Sequence, residues 1–292
     1  MACRRKHLLI TGTSSGIGKA TMEAAAAAGY HVIAGDRSVD KGTAIDDSAP
    51  VSQVHLDITS EEDIAATVKL VSDHVGDRGL DGLANVAGIG IPGPLETMSM
   101  SDLRASLDVD FFGQLALTQP LIPLVRGAQG RIVFVGSIAD RTTLPFFGAL
   151  AAAKAAIASA AATLRQELAP WGIHVILVEP GFISTGADEA TKKRIDGLIE
   201  GFSPEDAALY GPMFKEATDR GFKTQTSGSA PEGVAEVIVE AFLAPRPKAR
   251  YLTGSRAHEI AATALLPQKL QDALHRRAFG MPKPGSLGRQ EP

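Results

Sequence analysis

The chain has 292 residues and a mass of 30.5 kDa, 45% of them hydrophobic and 21% charged, a balance that fits a soluble globular protein with one full core. A net charge of −4 with no long basic tract excludes an electrostatic footprint for nucleic acid. The single cysteine, Cys3, can make neither an internal disulfide nor a thiolate zinc site, which points to a reduced, cytoplasmic setting.

The N-terminus starts basic, but its apolar run, Leu8 to Ile10, is too short for a signal peptide and reads as a first strand. β-branched apolar runs then recur near 31–35, 51–56, 82–85, 131–136 and 173–178, alternating with Ala- and Leu-rich helical stretches. That rhythm predicts an α/β fold, a single doubly wound parallel sheet of the Rossmann kind with helices on both faces and ligands at the carboxyl ends of its strands. The Ala-rich stretch 148–164 is interrupted by Lys154 and Ser159, and no run of about 18 strongly apolar residues occurs, so no integral membrane segment is expected. One domain is predicted over 1–255, with a substrate-loop insertion at about 186–228 and a helix at 231–243. Beyond it, 256–292 reads as a helical extension, amphipathic over 258–279 and cut by Pro267, that ends in a loose tail after Gly280.

After the first strand comes Thr11-Gly12-Thr13-Ser14-Ser15-Gly16-Ile17-Gly18, opening a helix. Glycines there let the chain turn sharply and let a pyrophosphate approach the positive end of the helix. Asp36, at the end of the second strand, would accept hydrogen bonds from the adenosine ribose and repel a 2′-phosphate, which favours NAD(H). The adjacent Arg37 keeps NADP(H) as second choice, because a guanidinium can bind that phosphate.

With these residues placed, the chain resembles the short-chain dehydrogenases/reductases over about residues 5–255, nearest their hydroxysteroid and retinol dehydrogenase-like branch. Residues 11–18 match the family's T-G-x-x-x-G-x-G turn, and Asp57, followed by Ile58, matches the aspartate near the adenine ring. Asn85, Ala87 and Gly88 match the N-x-A-G segment that steadies the central sheet. Pro180, Gly181, Ile183 and Thr185 match the stretch that holds the nicotinamide carboxamide.

The resemblance implies hydride transfer between a nicotinamide and a carbonyl or alcohol carbon, with a tyrosine exchanging the proton. A free phenol has a pKa near 10, so a neighbouring lysine must favour the phenolate. Ser137 matches the family's substrate-orienting serine and Lys154 its lysine, four residues into Y-x-x-x-K. The tyrosine position holds Leu150, which cannot donate or accept a proton. Asp110 stands where the family's proton-relaying asparagine would be, and a carboxylate facing Lys154 could form an ion pair. An impaired dehydrogenase is therefore expected, whether Leu150 is native or introduced. The alternative is a dinucleotide-binding sensor or structural subunit without turnover.

Of the three tyrosines, Tyr210 falls in the substrate segment as a weak substitute, while Tyr30 and Tyr251 read as structural. His31, His55, His74 and His174 read as packing or solvent-facing residues. Phe202, Ala207, Ala208, Leu209, Tyr210, Met213, Phe214 and Phe222 suit a small lipophilic substrate, although a lid packed on itself would look the same. The resemblance further implies a homodimer or homotetramer formed through the helices carrying Asp110 and Lys154.

Overall fold

Leu8, Leu9 and Ile10 are all fully buried although they alternate between the two faces of one strand, so the sheet must be covered by apolar helices on both sides. A computed structural model describes residues 5–185 and 188–287. Cys3, Gly186 and the end of the tail from Gly288 lie outside the described residues.

Seven parallel strands form the sheet: β1 (His7–Thr11), β2 (His31–Asp36), β3 (Val51–His55), β4 (Gly82–Asn85), β5 (Arg131–Val135), β6 (His174–Pro180) and β7 (Arg250–Thr253). Their order is β3-β2-β1-β4-β5-β6-β7, so the winding reverses between β1 and β4 and opens a crevice at their carboxyl ends. Strand β7, absent from the sequence reading, has four residues and pairs only with β6, at the sheet's edge.

Helices α1 (Gly16–Ala27), α2 (Glu61–Val75), α3 (Met100–Leu107), α4 (Gln114–Ala128), α5 (Gly148–Leu168), α6 (Asp188–Glu200), α7 (Pro204–Thr226), α8 (Pro231–Leu243), α9 (Ala257–Thr263) and α10 (Gln268–Ala278) complete the chain. One core layer joins Leu9, Ile33, Leu83 and Phe134 to Val71 of α2, Leu121 of α4 and Ile157 of α5. The opposite layer joins Leu8, Ile10, Val32, Val133 and Ile176 to Ala25 of α1 and to Val234, Ile238 and Phe242 of α8. Tyr30 is buried in this second layer with its hydroxyl directed to the Phe242 carbonyl, and Tyr251 is buried with its hydroxyl accepting from Lys248 N–H.

The segment 186–228, read from sequence as a loop, is helical wherever it is described, apart from the short turn between α6 and α7 and Ser227 and Gly228 at its end. Ser203 caps α7 by accepting from Asp206 N–H at 3.0 Å, with Pro204 at the first helical position. Pro267 separates α9 from α10, as its missing N–H requires. No helix among the described residues is long and apolar enough to cross a membrane.

A buried charge network ties the two outer strands to the loop after β5. Glu179, fully buried in β6, accepts from Arg141 Nη2 at 2.9 Å and from Arg250 Nε at 2.8 Å, while Arg250 also reaches Asp140. Burial, with the Glu179 charge adding to it, pushes Asp140 up to about 7. Arg250→Ala leaves two buried carboxylates facing one guanidinium, and removing one partner of a buried pair typically costs about 3–5 kcal/mol. We expect a loss near the lower end, about 3 kcal/mol, because Arg141 remains; urea unfolding measures it, and a loss below about 1 kcal/mol would contradict this role.

Candidate active site

Two adjoining cavities open at the carboxyl edge. The first, about 390 Å³, lies over the turn between β1 and α1 and is bordered by Gly12, Ser14 to Gly18, Asp36, Arg37, Asp57, Ile58, Ala87, Gly88 and Thr185. A Cβ on Gly18 would sit 1.9 Å from the Gly12 carbonyl oxygen, so only glycine lets the helix start this close to the turn. Asp36 accepts from Ser14 N–H at 3.0 Å, from Ser38 N–H at 3.0 Å and from Ser38 Oγ at 2.7 Å. Burial alone would raise its pKa, but these hydrogen bonds outweigh burial and hold the carboxyl below its usual range. Ser38 was not singled out from the sequence, although an Asp two residues before a Ser is a readable turn signal. Asp57 closes a similar turn, accepting from Thr59 N–H at 2.8 Å.

This cleft fits a dinucleotide in its donor set: glycine backbone and serine hydroxyls at a helix N-terminus, and an ionised carboxylate at the end of the next strand. Asn85 lies beneath it rather than on its surface. Fully buried, it donates from Nδ2 to Thr118 Oγ1 at 3.0 Å and so joins β4 to α4.

The second cavity, about 530 Å³, contains Ser137, Leu150, Lys154 and Asp110, together with Pro180, Gly181, Ile183 and Thr185. Ser137 follows β5 and caps the short turn after it, accepting from Ala139 N–H at 3.1 Å. Lys154, on α5, is 7% exposed; its Nζ donates to the Val135 carbonyl at 3.1 Å and lies 3.0 Å from Asp110 Oδ1. Asp110 is fully buried in a π-helical turn, Asp108–Gly113, between α3 and α4, and its two oxygens also face Ile89 N–H at 3.3 and 3.4 Å. Burial pushes the Asp110 carboxyl up, against the pull of the Lys154 ammonium and the Ile89 N–H. A Cβ on Gly88 would meet Asp110 Oδ1 at 2.6 Å, so the glycine makes room for the pair.

Leu150 puts an aliphatic side chain into this cavity one helical turn before Lys154. Tyr210 does not replace the phenol. It bonds to Glu96 and packs edge-on against Phe146, and it is absent from the wall that holds Lys154. None of the four histidines singled out above borders either cavity.

Of the eight lid residues named from sequence, only Phe222 lines the second cavity; Phe214 is buried against Phe146 and Phe202, ring centroids 5.2 and 5.5 Å away. Leu144, Phe147, Phe182 and Ile195 add to the apolar wall and were missed, since they come from the loop before α5, the segment after β6 and α6. Phe147 is backed by Phe279, just after α10, at 6.3 Å, so the C-terminal extension packs on the lid side of this cavity.

A family model described as short chain dehydrogenase matches residues 6–196. The chain is 33% identical over 259 residues to 11-beta-hydroxysteroid dehydrogenase type 2 of Homo sapiens, covering 85% of this chain and 64% of that one. It is 32% identical over 281 residues to retinol dehydrogenase 16 of Mus musculus, covering 92% and 87%. The crystal structure of a short chain dehydrogenase from Burkholderia cenocepacia J2315 in complex with NADP superposes with a TM-score of 0.69 at 26% identity, covering 96% of this chain and all of that one. The parallel sheet, its glycine turn and these relatives together make the chain a member of the short-chain dehydrogenase/reductase family, in the hydroxysteroid and retinol dehydrogenase-like branch.

Proposed function

We propose that this oxidoreductase-family chain binds NAD(H) and acts on a lipophilic alcohol or ketone, with its proton-transfer step crippled at Leu150. The observation that carries the reading is that the polar cleft and the apolar cavity meet beside Lys154, where both a nicotinamide and a carbonyl would have to lie. A bound nicotinamide dinucleotide would supply or accept the hydride. The glycine turn and Asp36 would hold its adenosine and pyrophosphate, and Pro180, Gly181, Ile183 and Thr185 its nicotinamide end.

Ser137 Oγ would orient the substrate oxygen. Lys154 has three donors, of which one is engaged by Val135 O and one by Asp110, leaving one to direct at a ribose hydroxyl or a water. No group at Leu150 can pass a proton to the substrate oxygen, and general acid–base catalysis is worth about 10² to 10⁴ in rate. The same two departures support the second reading, a dinucleotide-binding protein without turnover. Assembly into a homodimer or homotetramer through the helices carrying Asp110 and Lys154, which the family resemblance implies, would cover Phe112, 56% exposed in the turn that carries Asp110.

Leu150→Tyr should raise kcat/KM toward lipophilic alcohols and ketones by about 10²-fold or more, measured as NADH formation or loss across a substrate panel. No gain over the parent would reject the missing-acid account. In the Leu150→Tyr background, Asp110→Asn should remove the charge that offsets Lys154, lower the phenol's pKa and move the rising, acid-side limb of the oxidation profile to lower pH. An unchanged or upward-shifted limb would show that Asp110 does not restrain the lysine. Calorimetric titration should show NADH binding at least about 10-fold more tightly than NADPH, since the ionised Asp36 would repel a 2′-phosphate. The opposite order would make Arg37 the deciding residue.

A further inference from the structure

Far from the carboxyl edge, two histidines converge on one carboxylate. His7 is the first residue of β1 and is 1% exposed; His74 stands in the last turn of α2; Asp47 lies on the connection between β2 and β3. Asp47 Oδ1 is 3.1 Å from His7 Nε2 and 3.0 Å from His74 Nε2, and all three atoms lie within 4.8 Å of one another. Among the described residues this is the only trio of histidine, cysteine or acidic side chains with that geometry. We propose that His7, Asp47 and His74 form a binding site for a divalent first-row transition ion of the zinc type, separate from the catalytic cavities.

Metal–ligand distances of about 2.0–2.2 Å place neighbouring ligand atoms of a tetrahedral zinc site about 3.3 Å apart, so small side-chain shifts would open the observed contacts to that spacing. The His7 and His74 rings meet nearly edge to face, at 71° with centroids 5.2 Å apart, and both aim Nε2 at the same oxygen. No hydrogen bond engages His7 Nδ1 among the described residues, so no donor there forces the proton onto Nε2, and its lone pair can face a metal. His31 closes the inner wall, its Nδ1 3.1 Å from Ala49 O and 3.6 Å from Asp47 Oδ1 and its Nε2 3.2 Å from Ser52 Oγ.

The scaffold is suited to a cation. Arg5 Nη1 donates to the Asp47 and Ala49 carbonyls at 3.2 Å, pinning the connection that carries the carboxylate. His74 sits at the C-terminal, negative end of α2, where positive charge is favoured. The Asp47 side chain is 50% exposed and the His74 side chain 17%, which leaves water access to a fourth position. Two imidazoles and one carboxylate select zinc or cobalt over magnesium, which prefers an all-oxygen shell. The ion would bind the start of β1 and the β2–β3 connection to the end of α2 and stabilise the fold without entering the chemistry.

The test uses untagged protein stripped with chelator and then titrated calorimetrically with Zn²⁺, Co²⁺ and Mg²⁺, with thermal unfolding as a second readout. The proposal expects one equivalent of Zn²⁺ or Co²⁺ per chain, no Mg²⁺ at that site, and a rise in unfolding temperature with metal. His74→Gln and Asp47→Asn, both at partly exposed positions, should each weaken Zn²⁺ binding by more than the ~10-fold typical of losing an outer-shell partner and abolish the thermal shift. His258→Ala, an exposed histidine elsewhere, should change neither. Absence of Zn²⁺ uptake by the parent, or equal uptake and shift in the His74 and Asp47 variants, would overturn the proposal.

Discussion

A lysine ammonium cannot be buried in a protein seam unless acceptors surround it, and the candidate active site is arranged around how Lys154 meets that demand. A carbonyl at the end of β5 accepts one hydrogen bond from the ammonium, and the Asp110 carboxylate lies 3.0 Å from it. The π-helical turn delivers that carboxylate, and Gly88 leaves it space. In a member of this family with a tyrosine at residue 150, the lysine's field would act on a phenol. Here it faces an aliphatic side chain on one side and an opposite charge on the other, so its charge is absorbed structurally. Asp110 and Leu150 thus border the same cavity as the Lys154 ammonium.

The sheet sets where this happens. Reversal of winding between β1 and β4 opens the crevice, and the polar and apolar cavities share Ile17, Val86, Gly88, Ile89 and Thr185 at its rim. The Glu179 network fixes the far wall, because Glu179 directly precedes Pro180 and Asp140 follows Ser137 by three residues. Buried charge thus holds two strand ends in register beside the wall of the apolar cavity that carries Ser137 and Pro180. At the opposite pole, the histidines at the starts of β1 and β2 meet α2, beyond reach of any substrate in the crevice.

Much of this was readable from the chain. Six of the seven strands announced themselves as short apolar runs, most of them β-branched, because a parallel sheet covered on both faces buries both sides of its central strands. Strand β7 did not: Arg250-Tyr251-Leu252-Thr253 is too short to show a period and follows a proline-containing connection. The lid was misread as irregular because Gly211, Pro212 and Gly221 interrupt α7. Ser203-Pro204-Glu205-Asp206 is nevertheless a helix-start signal, and the packing of Phe214 against Phe146 and Phe202 carries the helix past its breakers. Motif positions such as Ser137, Leu150 and Lys154 were visible by register alone, whereas the cavity wall of Leu144, Phe147, Phe182 and Ile195 depends on tertiary assembly that no local pattern encodes. The shared carboxylate of His7 and His74 was hidden for the same reason, since the two histidines are far apart in the chain and meet only once α2 packs on the sheet.

The central claim is that cofactor binding survives while the chemical step does not, and a single-turnover stopped-flow experiment addresses it most directly. Parent protein in excess is loaded with NADH, shown by fluorescence to be bound, and mixed with a panel of lipophilic ketones. The account predicts saturable binding followed by oxidation at least about 10²-fold slower than the ~10 s⁻¹ ordinary for enzymes. Oxidation of bound NADH at or above that ordinary rate, or failure to bind either NADH or NADPH, would contradict it.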